Sequence, residues 1–203
     1  MNPLLALLSA ALLILSFPRF DFYPLIAVAL GPLLIALGRE RRAGRRFLLG
    51  WLTGAACLAG VTDWIRFVVT VHGGLGELGG GAVFVLYCAA KGLYFGLFGL
   101  LAGPLMGRAW SIPAVAAAWV AVDFTAGSVG YLWITIGNAG ANMSIPMRLA
   151  PYAGVHGLSF IFATMSAALA GVAHRRPRRE LLWLLALPLL ALLPALPEPQ
   201  PGA

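Results

Sequence analysis

Charge is what this sequence has least of. Only 10% of its 203 residues are Asp, Glu, Lys or Arg, against 61% hydrophobic, where a soluble domain carries roughly a quarter charged residues. With a mean hydropathy of +0.89, a water-soluble core cannot hide this much apolar surface, so the natural solvent is lipid. Lysine is reduced to Lys91, and the two cysteines, Cys57 and Cys88, both sit in apolar runs. Two thiols exclude a disulfide framework and a metal quartet. They are read as small core residues, and no metal or other cofactor is implied. Also missing is any Lys or Arg ahead of the first apolar run, MNPLLALLSAALLILSF. The basic region of a cleaved signal peptide is therefore absent, and the run reads as a retained membrane helix. No G-x-S-x-G and no H-E-x-x-H stretch occurs, so the serine-hydrolase and zinc-protease patterns have no carrier.

What the sequence does have is arginine, in two knots: RERRAGRR at 39–46 and HRRPRR at 174–179. The net charge of +7 would suggest nucleic acid in a soluble protein. Here the basic residues lie between apolar runs and form no basic face with interleaved aromatics, so nucleic acid is excluded as a partner. Seven apolar segments can be marked, at about 3–17, 23–38, 48–70, 82–105, 111–126, 149–173 and 180–196. The fold class expected is an all-α membrane protein, a bundle of about seven transmembrane helices, several of them short. With the N-terminus cytoplasmic, the loops after the second, fourth and sixth spans hold Arg39, Arg41, Arg42, Arg45, Arg46, Arg108, Arg175, Arg176, Arg178 and Arg179, ten of the fourteen basic residues. That bias places the knots in the cytoplasm and the C-terminus in the periplasm. Residues 1–196 then form a multi-span membrane domain, and the Pro-rich residues 197–203 a tail or linker. The stretch Gly127–Pro146, with YLWITIG at its centre, suits a re-entrant or interfacial element. Glycines 92, 96, 99 and 103, with Gly50 and Gly54, form stripes that let helices approach closely.

Ionisable groups inside spans are costly, which makes each one a candidate. Asp63 and Arg66 share a helical face near the outer end of the third span, as an ion pair or as a dock for a zwitterionic head group. Lys91 needs a carboxylate or carbonyl partner mid-span, with Asp123 the obvious candidate, or else it snorkels or touches a lipid phosphate. His72 and Glu77 flank HGGLGELGGG, which has the glycines of a mobile lid. His156 lies between Gly154 and Gly157, a packing residue or a catalyst. Cys88 and Lys91 are one turn apart, but mid-span surroundings raise rather than lower a thiol's reluctance to ionise.

Taken in order, five stretches resemble the membrane domain of apolipoprotein N-acyltransferases: SFPRFDFYPLIAVALGPLLIAL, GVTDWIRFVVTVHGGLG with its Trp64, AAKGLYFGLFGLLAGPL, AAAWVAVDFTAGSVGYLWITIGN and RLAPYAGVHGLSFIFATMSAALA. The last is the most specific, being similar to an L-A-P-x-x-G-V-x-x-(L/I)-(S/N)-F pattern. The resemblance implies an enzyme of the bacterial inner membrane that moves an acyl chain from phospholipid to the N-terminal cysteine amine of lipoproteins. It implies a ping-pong reaction through a thioester on a cysteine activated by a Glu and a Lys. Those three residues belong to a nitrilase-like domain that follows the seventh span. The expectation is therefore a fragment or split half, with no catalytic residue of its own and a separate nitrilase-like subunit as a possible partner. Two positions depart from the family pattern, Ala126 for an Arg and Leu132 for a Pro. The candidate substrate-binding residues, all at the outer ends of the spans, are Asp63, Trp64, Arg66, His72, Glu77, Asn138 and His156. Two other classes are compatible with the composition, a small lipid or solute transporter and a non-catalytic scaffold. The transporter reading lacks the paired broken helices that such folds carry.

Overall fold

The structure is a computed structural model that describes residues 1–128, 134–175 and 177–194. Among these, every regular element is helical: α1 (Asn2–Leu15), α2 (Tyr23–Arg39), α3 (Ala43–Val61), α4 (Asp63–His72), α5 (Gly76–Leu105), α6 (Ser111–Ser128), α7 (Ser144–Met147), α8 (Ala150–Ala173) and α9 (Ala186–Leu189). A 3-10 run, Ile136–Asn142, precedes α7, and two more, Arg178–Leu185 and Leu190–Leu192, flank α9. Among the described residues, α5 and α8 are long and apolar enough to cross a membrane, and the bent pair α3–α4 is a third if taken as one span. At 1.5 Å per residue, the 30 residues of α5 reach about 45 Å, against a hydrocarbon core of about 30 Å. The other long apolar helices, α1, α2 and α6, are shorter than these.

The third apolar segment, expected as one helix, breaks instead. α4 leaves α3 at 65°. The cause is Thr62, which leaves helical geometry at φ −111°, ψ 23°. Its hydroxyl donates back to the Leu58 carbonyl at 2.7 Å, a local bond that competes with the helical ladder. Asp63 then sits in the first turn of α4, where a negative charge suits the helix dipole. A second correction concerns HGGLGELGGG, which is not a long loop: α5 already begins at Gly76. Glycine is a poor helix former, but Gly80 packs so closely on α4 that an added Cβ would lie 2.0 Å from Thr70 Oγ1. Packing overrides propensity there. The stretch after α6 is helical from Ile136, while Tyr131, Leu132 and Trp133 lie outside the described residues, as do Arg176 and the tail from residue 195.

The glycine stripes do what close packing requires. An added Cβ at Gly50 would lie 2.2 Å from the Phe95 carbonyl oxygen, and one at Gly99 would lie 2.4 Å from that of Arg46. α3 and α5 thus meet backbone to backbone. Hydroxyls bind across helices where lipid offers no alternative: Thr53 to the Ala6 carbonyl at 3.1 Å, Ser166 to that of Ala27 at 3.0 Å, and Ser9 to that of Ala29. Leu13, Leu30, Leu33, Leu37, Phe98, Trp119 and Phe162 form the buried core, while Leu4, Leu48, Val85, Leu86, Leu93 and Leu101 point outward. Such a belt of exposed large apolar side chains fits lipid as solvent.

The packing also sorts the loops. Met1, Asn2 and Pro3 share a groove with Glu40 and Arg45. An added Cβ at Gly38 would meet the His174 ring, and one at Gly103 the Arg46 side chain. Trp110 lines a cleft with Glu180 and Trp183. The start of the chain and the three arginine-bearing loops therefore gather at one end of the bundle. At the other end, the guanidinium of Arg148 donates to the carbonyls of Ala191 and Leu193 at 2.6 and 3.0 Å.

Candidate functional site

Two polar places stand out, one at each depth of the end remote from the arginine loops. The shallower is built by the bend. Because α4 turns away from α3 and only residues 73–75 separate it from α5, Arg66 is carried back over the first turn of α5. Arg66 Nη2 donates to Glu77 Oε2 at 2.9 Å. Arg66 thus donates its hydrogen bond to a residue eleven positions on, and Asp63, expected as its partner, lines the same cleft beside it. That cleft, of ≈260 Å³, is bounded by Asp63, Arg66, Phe67, Thr70, Val71 and Glu77. Both members of the ion pair are well exposed, at 51% and 74% of their side chains. An exposed arginine keeps donors to spare for a phosphate or carboxylate. His72 stacks edge-on against Phe67, ring centres 5.8 Å apart, and Trp64 is exposed next to Asp63.

The deeper place is a small cavity of ≈70 Å³ between α3, α5, α6 and the segment after it. It is lined by Leu58, Tyr87, Lys91, Tyr94, Phe95, Asp123, Ala126, Gly127, Ile134 and Thr135. Lys91 and Asp123, thirty-two positions apart in sequence, therefore face one space. The Lys91 ammonium also lies 5.7 Å from the centre of the Tyr94 ring, within reach of its π face. Asp123 accepts a hydrogen bond from the Ser159 hydroxyl at 2.8 Å, and the same hydroxyl accepts the Gly137 N–H at 3.0 Å. One buried serine on α8 thereby joins α6 to the 3-10 run. The hydroxyl of Thr135 is buried at the cavity wall with no hydrogen-bond partner among the described residues. The cavity has room for a few waters at most.

Of the residues singled out from sequence, the structure unites Asp63, Arg66 and Glu77 in the shallow cleft, with Trp64 and His72 at its margin. Asn138 and His156 do not line it. Asn138 lies in the 3-10 run, and His156 sits in α8 just past Gly154, where φ of 60° kinks the helix. The His156 ring packs on Phe124 at 5.4 Å, and its Nδ1 is buried without a partner. Sequence reasoning missed Ser159 and Thr135. For Ser159 a signal existed, a small hydroxyl one turn beyond His156 in an otherwise apolar run. Cys57 and Cys88 are both buried and unpaired in a disulfide sense, away from the water that a nucleophilic thiolate needs. Among the described residues, no three His, Cys, Asp or Glu side chains converge on a metal-sized site.

Residues 9–168 match the family described as "Apolipoprotein N-acyltransferase N-terminal domain". The apolipoprotein N-acyltransferase of Geobacter metallireducens is 32% identical over 195 residues, covering 86% of this chain and 34% of the relative. That of Pseudomonas syringae pv. tomato is 30% identical over 196 residues, covering 93% and 38%. That of Chlorobaculum tepidum is 31% identical over 171 residues, covering 80% and 30%. The chain spans about a third of the length of these curated relatives.

Proposed function

This chain belongs to the apolipoprotein N-acyltransferase family, and from that membership we propose that its residues form the lipid-embedded part of a bacterial inner-membrane acyltransferase. The reaction served is transfer of an acyl chain from phospholipid to the N-terminal cysteine amine of lipoproteins. In this reading all seven apolar segments cross the membrane, with the arginine-rich end in the cytoplasm and the bent α4 at the periplasmic face. What supports it is the family match across residues 9–168, joined to a bundle whose basic loops share one end. The shallow cleft receives the phospholipid phosphate on Arg66. A charge-assisted bond at a partly dry membrane interface is stronger than in water. Glu77 holds the guanidinium there by its hydrogen bond, with Asp63 beside it in the cleft.

The acyl-carrying nucleophile is assigned to polypeptide outside these 203 residues, because Cys57 and Cys88 are both buried in the bundle. The test uses the 203-residue chain in detergent with phospholipid and a diacylated lipopeptide, with and without a nitrilase-like partner carrying a Glu, a Lys and a Cys. Alone, the chain is expected to show no thioester on Cys57 or Cys88 by intact mass. With the partner, triacylated lipopeptide is expected. A thioester on either of this chain's own cysteines refutes the assignment.

A further inference from the structure

At the arginine-rich end, a groove of ≈520 Å³ runs between the start of α1 and the start of α3. Its walls are Met1, Asn2 and Pro3 on one side and Glu40, Arg45, Leu48, Leu49 and Leu52 on the other. Arg45, Leu48, Leu49 and Leu52 are spaced i, i+3, i+4 and i+7, so they form one stripe down a single face of α3. The stripe begins with a cation and continues as leucine. Leu48 is 57% exposed, and Leu4 on the facing helix is 69% exposed, so the groove opens sideways onto the apolar belt. This is the shape of a seat for one amphiphile, charged at the end and apolar below.

The charge at the mouth is positive. Glu40 is the acid there, and its carboxylate is already engaged. One oxygen accepts the backbone N–H groups of Arg41 and Arg42 at 2.9 and 3.1 Å, and the other lies 3.8 Å from Arg45. Arg46 is turned inward, its Nε donating to the Glu40 carbonyl at 2.8 Å. Arg45 keeps 61% of its side chain exposed, with Arg41 and Arg42 beside it. A groove of this volume is within the ordinary range for small amphiphile sites.

We propose that this groove binds one anionic phospholipid of the leaflet bordering the arginine loops, its phosphate on Arg45 and an acyl chain along Leu48 and Leu52. The site lies at the end of the bundle remote from the Arg66 cleft, so its lipid is a fixed annular ligand and not the acyl donor. It presupposes the membrane-spanning reading, which is tested separately by recovery of the chain in the membrane fraction.

The experiment is native mass spectrometry of the full chain in detergent, titrated with dioleoylphosphatidylglycerol or dioleoylphosphatidylcholine. One phosphatidylglycerol is expected to be retained at least about fivefold more than phosphatidylcholine, as one surface arginine contributes about fivefold in affinity for an anionic lipid. Arg45→Gln is expected to remove most of that preference. Leu48→Ala, which leaves every charge in place, is expected to lower retention of phosphatidylglycerol severalfold. Arg175→Gln, at the same end but outside the groove, is expected to leave it unchanged. Equal retention of the two lipids overturns the proposal. So does an Arg175→Gln loss as large as that of Arg45→Gln, which would mean diffuse attraction. Thermal stabilisation by inorganic phosphate equal to that by phosphatidylglycerol would mean an anion site without a lipid seat, and overturns it as well.

Discussion

Ser159 shows how much a single side chain carries when the surroundings are apolar. Its hydroxyl donates to Asp123 and accepts from Gly137, so Ser159→Ala strands a carboxylate and an N–H together. Each buried group left unsatisfied costs about 1–3 kcal/mol, and the loss is expected as a clear drop in thermal midpoint in detergent. Asp123→Asn keeps an acceptor for the same hydroxyl and is expected to cost less. An unchanged midpoint in Ser159→Ala would mean that water replaces the hydroxyl. Arg66 makes the opposite case. Its partner is exposed, and exposed ion pairs contribute about 0–1 kcal/mol. Arg66→Ala is therefore expected to leave the midpoint nearly unmoved while weakening phospholipid binding, or slowing acyl loading once a catalytic partner is present. If binding persists and stability falls instead, Arg66 is a structural residue only. Ala126 also lines the cavity that Lys91 and Asp123 share.

Helices were legible in this sequence where length and hydropathy decide them, and illegible where a single backbone choice does. The apolar runs of α5 and α8 announce themselves. The break at Thr62 does not, because GVTDWIRFVVT stays apolar enough to read as one span, and the hint lay only in Thr-Asp, a pair suited to ending one helix and starting the next. The early start of α5 was hidden for the reverse reason: GELGGG has the composition of a loop, and only contact with Thr70 makes a helix of it. The candidate site suffered from both. Arg66 and Glu77 meet because a bend and a three-residue turn fold α4 onto α5, and Lys91 and Asp123 come to line one cavity through packing that no spacing encodes. The glycines, by contrast, were readable as packing devices, and they can be tested as such. Gly50→Ala puts a Cβ 2.2 Å from a carbonyl oxygen, so α3 and α5 must separate, at about 1–3 kcal/mol for an overpacked contact. Gly81→Ala, in the same α5 with nothing within 4 Å of an added Cβ, is expected to be neutral or to gain up to about 1 kcal/mol from helix propensity. Equal effects at the two positions would refute the close-packed interface.

For the molecule as a whole, the decisive property is that its charge is sorted by end. The sequence offers ten basic residues in alternate loops, and the fold brings those loops together: Gly38 against His174, Arg46 against Gly103, Trp110 against Glu180. A cluster of arginines at one end of a bundle resists translocation, which is why the proposed topology puts that end in the cytoplasm. α1 starts at the same end, so the same proposed topology puts the N-terminus there as well. With the seven crossings proposed, the last residue falls on the far side. Reporter fusions after Arg46 and after Arg179 are expected to give a fluorescent, phosphatase-negative cytoplasmic signal, and a fusion at Ala203 the reverse. Arg148, at the opposite end of the bundle, has its guanidinium bonded to the carbonyls of Ala191 and Leu193. A cytoplasmic signal at Ala203 with the other two unchanged would remove one crossing. The segment from Arg178 to Leu192 would then lie along the membrane surface. Outward signals after both Arg46 and Arg179 would invert the whole bundle, and would take the Arg66 cleft away from the periplasmic face on which its proposed substrates meet.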